Sequence, residues 1–207
     1  MLGLPLSAAG QQQYTFIFLN KKPDAAKLPD EQVKKLMDGH MVNMERLAKE
    51  GKLLVAGPFQ GGGGIFIFAT TKTDEAKQWL DSDPAVQAGR WNVEILPYKT
   101  RVGGICPVGE QYEMTNYSFV RFNAVVSKFT ASTYPQIIKK HDDYLKTLEA
   151  TGNVVTEAVF GDFDGGILVM RGEVQREIFE SDPGVQDGLI ELEIKKLFIA
   201  KGSFCEK

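Results

Sequence analysis

The feature that most constrains this chain is that it repeats itself. The segment from Gly39-His40 to Gly51 aligns with Lys140-His141 to Gly152, matching His40 with His141, Leu47 with Leu148 and Gly51 with Gly152. The correspondence runs on through Phe59 and Phe160 to Gly63-Gly64 and Gly165-Gly166. Ser82-Asp83-Pro84 then matches Ser181-Asp182-Pro183, and Val86-Gln87 with Gly89 matches Val185-Gln186 with Gly188. Upstream, Tyr14, Phe16 and Asn20 match Tyr117, Phe119 and Asn123, and downstream Cys106 matches Cys205. An ordered series of this kind means two copies of one module, and 207 residues leave room for two small domains. The boundaries read as a flexible N-terminus over 1–11, a first module over 12–100, a linker over 101–114 and a second module over 115–207. The linker carries the turn formers Gly103-Gly104 and Pro107-Val108-Gly109.

Each module reads the same way. Tyr14 to Leu19 is a strand by aromatic and β-branched content. Apolar residues at helical spacing follow (Val33, Met37, Met44, Leu47), ended by Gly51 as a C-terminal cap. Lys52 to Phe59 and Ile65 to Ala69 are strands joined by a glycine run of hairpin length. Asp74 to Leu80 is a short helix and Val93 to Tyr98 a closing strand; the second copy places the same elements at 117–125, 134–150, 153–160, 167–171, 173–180 and 190–199. The order β-α-β-β-α-β is the ferredoxin-like unit, an α+β fold. A four-stranded sheet with helices on one face leaves the other face bare, so two such modules are expected to pack sheet to sheet as an internal pseudo-dimer. Further oligomerisation is left open.

Composition removes several function classes. Lys plus Arg total 24 against 27 for Asp plus Glu, so no basic excess exists to neutralise phosphates and no nucleic-acid partner is expected. No apolar run approaches the ~18–20 residues that span a bilayer, so no membrane partner is expected. A chain that is 43% hydrophobic can bury a core, which excludes disorder. Two cysteines without CxxC spacing and two histidines give no metal-rich signature, and no cofactor fingerprint occurs. Gly61 to Gly64 lack the Gly-Lys-Ser/Thr of a phosphate loop and read as a hairpin bordering a pocket. Asp162-Phe163-Asp164-Gly165-Gly166 lacks the further acidic ligands of a calcium loop and reads as a plain turn. The stretch Met1 to Gly10, apolar and then small, fits either the remnant of an export signal or a floppy terminus.

The chemistry therefore concentrates on His40 and His141, each on an apolar helical stripe and each followed by an Asp-Pro, at Asp83 and Asp182. One reading is a half-buried histidine satisfied by its surroundings, with the aspartate simply capping a helical turn whose first residue is proline. The other is a His–Asp couple, in which the carboxylate fixes the tautomer and the ring removes a proton near neutral pH. Both readings stay open. Arg121, in an otherwise apolar strand, either holds an anionic ligand or points to solvent. Cys106 and Cys205 are related by the internal two-fold, and pair only if both lie near its axis.

Gly39-His40-Met41 through Gly51-Lys52-Leu53-Leu54-Val55-Ala56-Gly57-Pro58, with the later Asp83-Pro84, resembles the signature of the YCII-related family in the dimeric α/β-barrel superfamily. The resemblance covers nearly all of the first copy and, more loosely, the second, where Glu157-Ala158-Val159 replaces Ala56-Gly57-Pro58. It implies a dimeric α/β barrel and a catalytic His–Asp pair in a cleft between helix and sheet, here His40 with Asp83 and His141 with Asp182. The implied function is a lyase- or isomerase-type enzyme that abstracts a proton from a small cyclic or aromatic acid, without a cofactor. The alternative is a non-catalytic small-ligand-binding or structural module of the same fold. The first copy, which keeps Ala56-Gly57-Pro58, is expected to hold the better-formed site.

Overall fold

A computed structural model of the chain describes residues 13–109, 111–128, 130, 132–161 and 165–206. The proposed signal remnant and the aspartates of the 162–166 turn lie outside them. The first half runs β1 (Gln13–Lys21), α1 (Asp30–Lys49), β2 (Leu53–Pro58), β3 (Gly64–Phe68), α2 (Thr73–Leu80), α3 (Pro84–Gln87) and β4 (Trp91–Val102). The second half runs β5 (Met114–Ala124), α4 (Tyr134–Glu149), β6 (Val154–Val159), β7 (Gly166–Arg171), α5 (Arg176–Glu180), α6 (Pro183–Gln186) and β8 (Ile190–Ala200), with a 3-10 turn at Val126–Lys128. Strand β4 continues through Arg101 and Val102, which the sequence reading assigned to the linker. Among the described residues no helix is long and apolar enough to cross a membrane.

The strands form one antiparallel sheet in the order β2-β3-β1-β4-β6-β7-β5-β8. This corrects the expectation of two separate four-stranded sheets placed face to face. The halves join edge to edge, with Lys99 opposite Val159, Thr100 opposite Ala158 and Val102 opposite Glu157. An unpaired edge leaves a row of backbone N–H and C=O groups without partners, and β4 and β6 satisfy theirs on each other. The two ends of the order also meet, through a bridge between Phe59 and Leu197 and a Gln60 N–H donated to the Lys196 carbonyl. Gly57 makes that approach feasible, since a Cβ there would stand 2.8 Å from the Phe198 carbonyl oxygen. Pro58, which has no N–H to donate, sits at this seam, whereas its counterpart Val159 pairs with Lys99.

Strand alternation sorts the core into layers. Phe16, Phe18 and Ile67 of the first half share one buried cluster with Phe119, Phe160 and Val169 of the second. Their rings pack at centroid distances of 5.2 Å (Phe16–Phe160) and 6.0 Å (Phe18–Phe119). The alternate residues face the helices: Ile17, Phe66 and Phe68 lie with Leu47 and Leu80, and Val120, Phe122 and Leu168 lie with Leu145 and Phe179.

Arg121 does neither of the things its sequence position suggested. Its guanidinium, itself buried, bonds both carboxylate oxygens of the half-exposed Glu94 on β4 and lies 4.0 Å from the Phe18 ring centroid, an ion pair between the halves. The Arg121 hydrogen bonds hold the Glu94 carboxyl below the usual range against the opposing effect of burial. Cys106 and Cys205 form a disulfide with a Cα–Cα distance of 4.9 Å. They sit beside the buried Ile105 and Phe204, and Cys106 N–H donates to the Ser203 carbonyl.

Candidate functional site

In each half a histidine on the long helix meets an aspartate at the start of a helical turn. His40, on the buried stripe of α1, places Nδ1 2.6 Å from Asp83 Oδ2. Asp83 Oδ1 accepts from the backbone N–H groups of Ala85 and Val86 at 2.9 and 3.2 Å, so it also caps α3. Gly39 lets the helix come this close, because a Cβ there would stand 2.7 Å from Pro84 Cγ. His141 Nδ1 lies 2.5 Å from Asp182 Oδ2, while Asp182 Oδ1 accepts from Gly184 N–H at 2.7 Å. Both aspartates are completely buried and both histidines nearly so. Burial pushes the Asp83 carboxyl up, but the His40 bond and charge with the two N–H groups outweigh it and leave the carboxyl below its ordinary value.

The aspartates are thus caps and histidine partners at once, and the two readings of the sequence do not exclude each other. A carboxylate that accepts from Nδ1–H fixes the imidazole tautomer and leaves Nε2 as the nitrogen able to exchange a proton. What separates the halves is what surrounds the ring.

In the first half His40 is enclosed by aromatic groups, with Trp91 at 4.9 Å and Phe66 at 5.7 Å between ring centroids. In the second half Ile190 stands where Trp91 stands in the first, and a cavity of about 230 Å³ opens beside His141. Its apolar wall includes Phe122, Ile138, Leu145 and Ile190, and its polar wall includes Asp142, Glu157 and Arg101. The first copy, which keeps Ala56-Gly57-Pro58, was expected to hold the better-formed site; the cavity adjoins His141, of the second copy.

The polar wall was not singled out from the sequence. Arg101, at the end of β4 in the first half, reaches across the seam to Glu157 of β6, donating from both Nε (2.7 Å) and Nη2, and it donates from Nη2 to Asp142 at 2.9 Å. Glu157 is 3% exposed. Burial pushes its carboxyl above the ordinary range, more than the Arg101 bonds and charge pull it down. The corresponding positions on the His40 side are Ala200 of β8, Ala56 and Met41. The available signal was Glu157, a charged residue within a strand that is apolar in the other copy; its partner lay in what read as a linker.

Among the described residues no group of three or more His, Cys, Asp or Glu is placed to hold a metal ion. Gly64 and Gly166 begin β3 and β7 after their hairpins, and Gly165 and Gly166 line the cavity, which places the second hairpin at its border. No curated protein matches the chain. Residues 14–99 match the family model of the YCII-related domain, and the chain therefore carries a YCII-related domain as its first half.

Proposed function

We propose that the chain is a fused pair of ferredoxin-like modules, over 12–100 and 115–207, forming an internal pseudo-dimer of the dimeric α/β-barrel type. We propose further that its second half is a small lyase- or isomerase-type enzyme in which His141, oriented by Asp182, abstracts a proton from a small cyclic or aromatic molecule. The repeated element order, the core shared by both halves and the two strand seams support the first statement. One observation carries the second: the dyad histidine with a cavity beside it is His141, held at Nδ1 by a buried carboxylate. A base in a largely apolar pocket, oriented by a second group, is the arrangement general-base chemistry needs.

The charges on the wall refine the substrate class. Arg101 is committed to Glu157 and Asp142, so it is no free counter-ion for a carboxylate. A neutral ring fits this wall better than the cyclic or aromatic acid implied by the resemblance alone. In the first half, enclosure of His40 by Trp91 and Phe66 favours a structural role, with the His40–Asp83 bond tying α1 to α3.

A thermal-shift screen with small cyclic and aromatic compounds, neutral and acidic, tests this reading on the wild type, His40→Ala and His141→Ala. Compounds that stabilise the wild type should lose their effect in His141→Ala, and the wild type should consume them. Binding that depends on His141 without consumption supports the non-catalytic alternative. Stabilisation that survives His141→Ala and vanishes in His40→Ala refutes the assignment of the site.

A further inference from the structure

We propose that Glu157 is the proton donor that works opposite His141, so that a proton removed at one atom of the bound molecule is matched by one delivered to another. The proposal rests on the reading of His141 as a base. Both side chains line one cavity of about 230 Å³, a volume on the scale of a single small ring. Glu157 occupies a strand position where its counterpart is Ala56, and a carboxyl 3% exposed is a costly replacement for a methyl group. The cavity and the polar groups occur together: around His40, where Trp91 packs against the ring, Met41, Ala56 and Ala200 stand in place of Asp142, Glu157 and Arg101. A second buried carboxyl, beyond the aspartate that each histidine has, thus stands on the wall of the cavity beside His141.

Arg101 holds Glu157 through Oε1 and so fixes the direction of the carboxyl. The groups that bear on it are His141 and Asp142 from α4, Arg101 from β4 and, at longer range, Glu149 at the end of α4. Burial raises its proton affinity above that of an ordinary carboxyl, which favours the acid form the step needs. The step balances within one molecule. The C–H bond breaks with its proton moving to His141 Nε2, its electron pair forms a new π bond, and the bond or oxygen that receives the displaced pair takes the proton of Glu157. His141 then carries a proton and Glu157 a charge, and exchange with solvent restores both. No oxidant, reductant or second substrate enters.

Benzisoxazole ring opening tests this without the natural substrate. A base removes the ring C–H, the pair forms a nitrile, the N–O bond breaks and the oxygen leaves. The 5-nitro compound has a good leaving oxygen, whereas the unsubstituted compound needs that oxygen protonated. Turnover of both is measured for the wild type, His141→Ala, Glu157→Gln and Glu157→Asp, with melting curves as the check on folding. Glu157→Gln should lower turnover of the unsubstituted compound by about ten-fold or more beyond its effect on the 5-nitro compound. Glu157→Asp, which keeps an acid, should fall between the wild type and Gln, and it carries the test if Gln fails to fold. Equal losses on both compounds overturn the role of Glu157 and leave His141 as base. A wild type no faster than His141→Ala on the 5-nitro compound overturns the base, and this proposal with it.

Discussion

Removing the positive end of the Arg101–Glu157 pair should expose what the buried carboxyl costs. Breaking a fully buried ion pair from one side costs about 3–5 kcal/mol, because the other charge is left uncompensated. Here Arg101 is 29% exposed and its partner only 4%, so water already screens part of the interaction. Arg101→Met should therefore cost somewhat less, about 2–4 kcal/mol near pH 8. At this chain length that corresponds to a fall in melting temperature of roughly 5–15 °C. The pH dependence has a definite sign. The Glu157 carboxyl is raised in the folded state, so its burial costs nothing while it is protonated in both states, and the cost grows as pH rises from the ordinary carboxylate value through the folded one. Arg101→Met removes the interaction that pulls the value down, so the variant should lose more stability than the wild type on going from pH 5 to pH 8. Replacing Glu157 with Gln in the Arg101→Met background removes the stranded charge and should recover most of the loss. Urea unfolding of the wild type, Arg101→Met and the double variant at both pH values is the assay. A loss that is the same at pH 5 and pH 8, and undiminished in the double variant, refutes the reasoning.

Three further outcomes follow from the geometry. Reducing the Cys106–Cys205 bridge, or replacing both residues with Ala, should lower stability by up to about 4–5 kcal/mol, because the bridge closes a loop across 99 positions; two thiols titrating under non-reducing, denaturing conditions would disprove the bridge. Trp91→Ile should open a space beside His40 like the one beside His141, speeding carbethoxylation of His40 by diethyl pyrocarbonate at a stability cost below the about 3–5 kcal/mol of a full truncation to Ala; no change in His40 reactivity would mean that another group closes that site. The Asp83 carboxyl is held below its ordinary value, so it contributes stability above that value and loses it as pH falls through the folded one; Asp83→Asn should flatten the acid limb of the unfolding curve, and an unchanged limb would show that Asp83 does not contribute to it.

The pairing of His40 with Asp83 and of His141 with Asp182 was anticipated from the matching of both features in the two copies together with the YCII-related resemblance, while the residues by themselves left a plain helix cap equally open. A histidine on an apolar helical stripe faces the sheet, and an Asp-Pro start fixes a capped turn; the repeat then placed both features in both halves. Trp91 and Ile190 were visible only as two apolar residues at equivalent places. That Trp91 packs against the His40 ring while Ile190 lines the cavity beside His141 is a matter of side-chain volume in three dimensions, which periodicity does not carry. Arg121 read as a charge without a partner, because Glu94 lies in the other half.

The sequence by itself determined the two β-α-β-β-α-β series, the alternation that divides each strand between an inner and a helix-facing core, and the positions of both His–Asp pairs, since all of these follow from local propensity, period and repetition. Tertiary structure alone decided that β4 pairs with β6 to make one sheet, that the two cysteines meet, and that Arg101 reaches Glu157 beside the open cavity of the second half. Those features rest on contacts between residues 55 to 99 positions apart. Such contacts form only where strand edges with unsatisfied backbone groups are brought together, and local pattern does not specify which edges those are.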